Sequence, residues 1–240
     1  MTLSFWRAAG SPGGRVDLLA GRTAGYDRVM DRLDWTDASR ALLDGGCVAV
    51  PTDTVYGLAV RVADRAAVGR LFDVKGRAAT RAIAVLVSDA AMARSLGVAR
   101  DAAWTFAAAL WPGALTVVVD RSPEVVADLG GDATSIGLRV PAHDRLRSLI
   151  AEVGPLATTS ANVSGEPALV DAASIAASFG GRIDGVVDGG RLDGLASTVV
   201  DLRRDPPTVL RRGAVQVTDL GEPSERSAGV SDPSTPEARR

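Results

Sequence analysis

The stretch Gly46–Val60, GCVAVPTDTVYGLAV, breaks one apolar run and then begins another. Val48–Val50 has the composition of a short buried strand, and Pro51 ends it because proline has no backbone N–H for the next ladder bond. Small oxygen-bearing side chains follow at Thr52, Asp53 and Thr54. They can satisfy the freed backbone groups in an ordinary turn, or they can bind a small polar ligand. The local sequence leaves both alternatives open.

Strand and helix patterns alternate on either side of this stretch. Apolar and β-branched runs predict strands, and apolar residues spaced three and four apart predict helices. The predicted strands are 48–50, 83–87, 115–119, 136–140, 156–158, 185–187, 198–202 and 209–211. The predicted helices are 38–44, 65–75, 89–96, 102–110, 145–153 and 172–179, with Ser88 and Asp171 as N-caps. This order indicates one α/β domain with a mixed sheet.

Composition divides the chain into three parts. Residues 1–26 are rich in Gly, Ala and Arg and show little periodicity. Residues 27–219 carry the strand and helix patterns and form the predicted folded domain. Residues 220–240 contain mainly Ser, Pro and charged side chains, which cannot bury enough apolar surface to fold. We therefore expect an N-terminal extension, one folded catalytic domain and a disordered tail.

The overall composition predicts a cytoplasmic globular protein. Hydrophobic residues make up 46% of the 240 residues, and no run is long enough to span a membrane. Cys47 is the only cysteine, so no internal disulfide can form, and a small buried side chain is the simplest interpretation. The net charge of −2 argues against a protein that coats nucleic acid.

Several kinds of site are absent from the sequence. Neither the glycine fingerprint of dinucleotide-binding folds nor the Walker P-loop occurs. His143 is the only histidine and lies at a predicted helix entry, so mechanisms that need a histidine base are disfavoured. No Cys/His cluster has metal-ligand spacing, and we predict no metal-binding residue.

Cations surround the glycine that ends one predicted helix. Lys75, Gly76 and Arg77 are consecutive, and Arg81 lies four residues further on. Cations at a helix C-terminus are favourable for the helix dipole alone. An arginine fork and a lysine point charge can also converge on a phosphate group.

Polar side chains also follow the predicted strand 156–158, in the run TTSANVSGEP. Ser160, Asn162 and Ser164 occupy alternate positions, and alternate residues of an extended segment share a face. Such a face can bind a phosphate or hydrated Mg²⁺. A simple Ser/Asn-rich loop is the competing interpretation.

Arginine and serine residues complete the set near the C-terminal strands. Arg139 lies inside the apolar run 136–140, where a guanidinium needs an acid from the protein or from a ligand. Ser197 opens the predicted strand 198–202, and Arg211 ends the last one.

The order of these motifs resembles the YrdC-type family of L-threonylcarbamoyladenylate synthases. The matching motifs are PTDTVYGL, KGR, WPGALTVVV, GLRVPAH, TTSANVSGEP, VVDGG, STVVDL and VLRRG. The resemblance extends from about Ala41 to Gly213. It implies a YrdC-like twisted mixed sheet with flanking helices around a large concave, positively charged cavity.

The resemblance also implies the reaction and its participants. ATP, L-threonine and bicarbonate or CO₂ would react, with Mg²⁺ accompanying ATP, to give threonylcarbamoyl-AMP for tRNA modification. It places catalysis at Lys75 and Arg77. It places ATP at Lys75, Arg77, Arg81, Ser135, Ser160, Asn162 and Arg211. It places threonine at Thr54, Arg139, Thr158 and Ser197. Downstream tRNA-modification proteins or tRNA itself are implied partners, and the oligomeric state stays open.

The sequence departs from the family pattern in the segment after KGR. Arg81 stands where a neutral amide is common, Ala82 where proline or glycine is common, and Leu86 where some members have histidine. A paralogue that makes a carbamoyl-adenylate from another amine is therefore one alternative. A non-catalytic RNA-binding module of the same fold is the other.

Overall fold

A computed structural model describes residues 31–76, 81–163 and 165–217. The predicted extension 1–26 and tail 220–240 lie outside these residues. The strands are β1 (Arg32–Leu33), β2 (Val48–Val50), β3 (Gly57–Arg61), β4 (Ala84–Leu86), β5 (Gly97–Val98), β6 (Leu115–Arg121), β7 (Ser135–Arg139), β8 (Leu156–Ser160), β9 (Gly185–Val187), β10 (Thr198–Asp201) and β11 (Thr208–Arg211). The helices are α1 (Trp35–Leu43), α2 (Arg65–Lys75), α3 (Ala90–Leu96), α4 (Asp101–Leu110), α5 (Asp144–Val153) and α6 (Ala172–Phe179).

The described strands form one mixed sheet in the order β1-β9-β2-β3-β8-β4-β7-β6-β10-β11. Strand β5 is not in this order and pairs with β6. The sheet contains parallel pairs such as β4–β7 and β6–β10 and antiparallel pairs such as β3–β8 and β6–β7. The predicted mixed α/β sheet is thus confirmed. Strands β1, β3 and β5 had not been predicted.

Apolar side chains cover both faces of this sheet. Along β2, Ala49 packs into one core cluster, whereas Val48 and Val50 pack into the other. Leu58 and Ala59 of β3 are divided between the two clusters in the same way. Since successive strand residues point to opposite faces, a run that is buried on both sides must be continuously apolar. This requirement explains the apolar runs on either side of 51–56.

Helix ends follow local capping chemistry, but the N-cap of α3 is Asp89 and not the predicted Ser88. Asp171 caps α6 as predicted, because its side chain accepts from the Ser174 N–H. Ser88 was predicted to cap the third helix, but Asp89 does so by accepting from Met92 N–H at 2.8 Å. The Ser88 hydroxyl donates instead to Asp89 Oδ2 at 2.9 Å. The carboxylate is therefore the cap, and the serine supports it.

Two further sequence expectations are confirmed. Cys47 is 1% exposed and lies in the core, where burial and the nearby Asp184 charge raise the pKa of its thiol to about 12. His143 is the N-cap of α5, and its Nδ1 accepts from Leu146 N–H at 3.2 Å. Both residues therefore have structural roles. None of the described helices has the length and apolar character that a membrane span requires.

Candidate active site

A cavity of about 410 Å³ opens on the sheet where several predicted site residues meet. Its lining includes Thr54, Ser135, Arg139, Thr158, Ser160, Ser197 and Arg211. These residues come from the 51–56 loop, from β7 and β8, and from the start of β10 and the end of β11. The sheet order explains the meeting, because β3, β8, β4, β7, β6 and β10 are consecutive neighbours. The concave cavity of the predicted fold is thus present.

The 51–56 loop connects the antiparallel strands β2 and β3, in which Val50 pairs with Gly57. The Thr52 hydroxyl donates to Val55 O at 2.6 Å and accepts from the N–H groups of Thr54 and Val55. Its single proton is therefore committed to Val55, and the Thr54 hydroxyl lies 3.0 Å from the Thr52 hydroxyl. This turn chemistry fixes the Thr54 side chain at the cavity wall.

Arg139 lies behind this loop and is held by it. Its Nη2 donates to Asp53 Oδ1 at 2.6 Å, its Nη1 to Thr54 Oγ1 at 3.0 Å, and its Nε to Gly113 O at 3.0 Å. Burial lowers the pKa of Arg139, although the Asp53 charge opposes that effect. Asp53 is thus the acid that this buried guanidinium requires. Three of the five guanidinium N–H groups are engaged in these contacts, which leaves two for a ligand.

Arg211 differs from Arg139 in its charge balance. It donates to Ser197 O from Nε and Nη2 and to Ser197 Oγ from Nη2, at 2.8 to 3.0 Å. Within the described ranges, no acid lies at ion-pair distance from it. Burial and the neighbouring Arg139 charge both lower the pKa of Arg211. An anion at this point would offset both effects, because an opposite charge favours the charged guanidinium.

Most hydroxyl groups that line the cavity can only accept hydrogen bonds from a ligand, because their protons are already donated within the protein. Thr158 donates its proton to Leu156 O, Ser160 to Asn162 Oδ1, and Ser135 to Asp132 O. The Thr54 hydroxyl oxygen accepts from Arg139 Nη1. Because each donating hydroxyl has one proton, its remaining capacity toward a ligand is to accept. The arginines therefore supply donors for an anion, and the hydroxyls supply acceptors for ammonium or hydroxyl groups.

A third arginine, Arg203, also lines the cavity. It forms a fork with the buried Asp201 through Nε and Nη2 at 3.1 and 2.9 Å, and its Nη1 donates to Asp132 Oδ2 at 2.7 Å. Hydrogen bonds from the Thr134 side chain and backbone, together with Arg203, lower the pKa of Asp132 to about 2. Asp132 also holds Ser135 through its carbonyl oxygen. Neither Arg203 nor Asp132 was predicted, because no local pattern marks them.

Three predicted ATP-binding residues, Lys75, Arg81 and Asn162, are not in the described lining. Lys75 is 5% exposed and donates to Ser160 O, Asn162 O and Asn162 Oδ1. Arg81 is exposed, whereas the adjacent Ala82 and the nearby Leu86 line the cavity. Arg77 lies outside the described residues.

The expectation that Ser160, Asn162 and Ser164 share one strand face is wrong for Asn162. Strand β8 ends at Ser160, and the chain bends at Ala161 and Asn162. The N–H of Asn162 closes this bend by donating to Ser160 O at 3.0 Å. Thr158 and Ser160 do share a face. Ser164 falls in the gap between the described ranges.

No cluster of three or more His, Cys, Asp or Glu side chains with metal-binding geometry occurs in the part of the chain that the structure describes. Asp132 and Asp201 are paired with Arg203 instead.

Comparison with known proteins gives a consistent answer. The Sua5/YciO/YrdC family model, described as "Telomere recombination", matches residues 40–213. A Mycobacterium leprae relative is 40% identical over 187 residues, which cover 77% of this chain and 85% of the relative. The threonylcarbamoyl-AMP synthase of Bacillus subtilis is 34% identical over 216 residues, which cover 85% of this chain and 62% of that protein.

Solved structures agree with the sequence matches. The Pyrococcus abyssi Sua5 structure complexed with L-threonine has a TM-score of 0.71 and 35% identity, and the match covers 77% of this chain and 56% of that one. Escherichia coli YciO, at 24% identity, supports the fold alone, with a TM-score of 0.72 and coverage of 79% and 95%. The motif order, the mixed sheet and its cavity, and these matches show that the chain belongs to the Sua5/YciO/YrdC family.

Proposed function

We propose that this protein is a threonylcarbamoyl-AMP synthase, a nucleotidyltransferase that makes threonylcarbamoyl-AMP and pyrophosphate from L-threonine, bicarbonate or CO₂, and ATP. The observation that carries the proposal is the close pair of arginines in one cavity, of which Arg211 has no acid partner among the described residues. Family membership and the threonine-bound Sua5 relative support the same substrate class.

The charge arrangement suits two different anions. Asp53 balances most of the Arg139 charge, so the net attraction of this site for an anion is small. The two remaining N–H groups of Arg139 can still orient a carboxylate by hydrogen bonds. Arg211 keeps its full charge and can interact with phosphate oxygens, on which charge develops as pyrophosphate leaves. We therefore assign the threonine carboxylate to Arg139 and the nucleotide phosphates to Arg211.

The acceptor hydroxyls suit the rest of the amino acid. Thr54, which accepts from Arg139, and Thr158 both line the cavity, and each hydroxyl oxygen has a lone pair for an N–H or O–H donor. An amino acid with a side-chain hydroxyl offers both kinds of donor beside its carboxylate. Leu86 adds an apolar contact, which suits a methyl group. The geometry thus favours threonine over a simple amine.

The reaction requires little covalent chemistry from the protein. The threonine amine adds to CO₂ and loses a proton, which gives a carbamate. A carbamate oxygen attacks the α-phosphorus of ATP, the bond to the bridging oxygen breaks, and pyrophosphate leaves with that oxygen. The nucleophile is a substrate atom, so the protein acts by holding the two reactants together and stabilising charge.

The cavity carboxylate is not suited to act as a base. Asp132, the one acidic residue in the described lining, has its pKa lowered to about 2, so it accepts protons poorly near neutral pH. Mg²⁺ enters with ATP as part of the substrate. We place the reaction in the cytoplasm, with its product passing to the tRNA-modification machinery.

The test is pyrophosphate release by the purified full chain with Mg–ATP. The proposal predicts release only when L-threonine and bicarbonate are both present. Release with bicarbonate and serine or another amine at a similar kcat/KM would replace it with the altered-acceptor alternative. Absence of release under every combination would reject the synthase and favour an RNA-binding module, which salt-dependent RNA affinity would then measure.

A further inference from the structure

The position of Lys75 is unusual for this chain. Only one of the 27 Lys and Arg residues is a lysine, and it is Lys75. It is also buried, with 5% exposure, whereas the arginines that bind exposed acids lie at the surface. Every other Lys or Arg position of the chain is occupied by arginine, so we infer that position 75 has a structural requirement that arginine does not fulfil.

Three oxygen acceptors surround the Lys75 ammonium group. Lys75 is the last residue of α2, and its Nζ lies 2.6 Å from Ser160 O and 2.5 Å from Asn162 O, with Asn162 Oδ1 as a third acceptor. An ammonium group has three donors that radiate from a point. A guanidinium is planar and wider, and its five N–H groups form a rigid fork. Three oxygens converging on one nitrogen suit the first group only.

The same contacts fix the turn after β8. Asn162 Oδ1 accepts from Lys75 and from the Ser160 hydroxyl, the latter at 2.6 Å. Asn162 Nδ2 donates to Val163 O at 2.9 Å and to Glu166 O at 2.5 Å. Both the oxygen and the nitrogen of the Asn162 carboxamide are therefore engaged in hydrogen bonds within the protein. Of these side chains, Ser160 is the one that lines the cavity.

We propose that Lys75 is a positioning residue: its ammonium group locks the Ser160–Asn162 turn from behind, and the turn contacts the nucleotide. This inference rests on the proposed function for the identity of the ligand, and it assigns Lys75 a different role from the direct phosphate contact that the family motif suggested. The locked turn directs the lone pairs of Ser160 into the cavity, because the Ser160 proton is held by Asn162.

The first test needs no enzyme activity. Acetic anhydride labelling of the native full chain, followed by mass spectrometry, reports on Lys75 without ambiguity because it is the only lysine. We expect acetylation of Lys75 on the order of tenfold or more slower in the native than in the urea-unfolded chain, both with and without Mg–ATP. A native rate close to the unfolded rate would overturn the proposal, whether or not Mg–ATP slows it.

The second test uses two reciprocal conservative substitutions. We expect K75R to lower kcat/KM for ATP about 100-fold, as much as K75M does, because neither side chain can hold the turn. R211K is the matched control, and it should retain more activity than R211A because a cation that contacts phosphate directly tolerates this exchange in part. A K75R variant within about threefold of the wild type would show that charge near phosphate suffices, and would overturn the proposal.

A double-mutant cycle identifies the route of the effect. N162A removes one of the three Lys75 acceptors and the Ser160 partner, so K75M should lower kcat/KM less in an N162A background than in the wild type. An equal loss of kcat/KM on K75M substitution in the wild type and in N162A would overturn the proposal. If the wild type releases no pyrophosphate at all, the proposed function fails, while the labelling experiment still decides whether the ammonium is held as inferred.

Discussion

Arg139 Nη2 lies 2.6 Å from Asp53 Oδ1, and the two side chains are only 7% and 13% exposed. The ion pair joins the end of β7 to the 51–56 loop across 86 positions of sequence. It explains why the apolar run Val48–Val50 is followed by oxygen-bearing residues. Thr52 and Thr54 shape the loop, Asp53 holds a buried arginine, and the result is one wall of the cavity.

Removal of Asp53 should destabilise the fold. Asp53→Ala leaves the Arg139 guanidinium buried and without its acid, so we expect the free energy of unfolding to fall by about 3–5 kcal/mol. Urea unfolding measures this change. Asp193→Ala is the control, because Asp193 and Arg191 are 74% and 66% exposed at 3.6 Å, and such pairs contribute less than about 1 kcal/mol. Equal losses in both variants would contradict the assignment.

Removal of Arg211 should weaken nucleotide binding without loss of the fold. Charge-assisted hydrogen bonds contribute about 1.5–3 kcal/mol, so Arg211→Ala should raise KM for ATP about 10- to 150-fold. Initial rates of pyrophosphate release at varied ATP measure this effect. Arg40→Ala on α1 removes a surface cation that pairs with Asp37 and should leave KM unchanged. A wild-type KM in the Arg211 variant would place the phosphates elsewhere.

Gly194 should not tolerate a side chain. A Cβ there would lie 2.6 Å from the backbone oxygen of Thr54, so Gly194→Ala must displace the loop that carries Thr54. We expect a loss of about 1–3 kcal/mol in unfolding free energy and a higher KM for L-threonine. In Gly69→Ala the added Cβ meets no atom within 4 Å and lies inside α2, so stability should rise by about 0.5–1 kcal/mol. Unchanged stability and KM in Gly194→Ala would show that the loop adapts.

Asp132 should contribute to acid sensitivity. Its pKa in the folded chain is lowered from 3.8 to about 2, so the carboxylate favours the folded state above about pH 4. That contribution is lost as the pH falls from about 4 through about 2. The melting temperature of the wild type should therefore fall more steeply over this interval than that of Asp132→Asn. Asp193→Asn should keep the wild-type slope, and parallel curves for all three proteins would refute the link to Asp132.

The sequence by itself determined the elements that local chemistry specifies. Helix α2 begins and ends at the predicted residues, because Asp64 caps its start and Gly76, with a φ of 58°, adopts the left-handed conformation that ends it. Strand β2 has its predicted bounds because Pro51 stops the ladder. The very short strands β1 and β5, of two residues each, carry too few side chains to show a period.

Residue contacts across the sheet were decided by the tertiary structure. Lys75 meets Ser160 across 85 positions, and Arg203 meets Asp132 across 71. Those contacts depend on strand order and register, since a shift of one residue would turn every side chain of a strand to the opposite face. The motif order could thus nominate Lys75, Arg139 and Arg211 as functional residues. Only the folded chain could show that Arg139 is paired with Asp53, that Arg211 has no acid partner among the described residues, and that Lys75 lies behind the cavity wall.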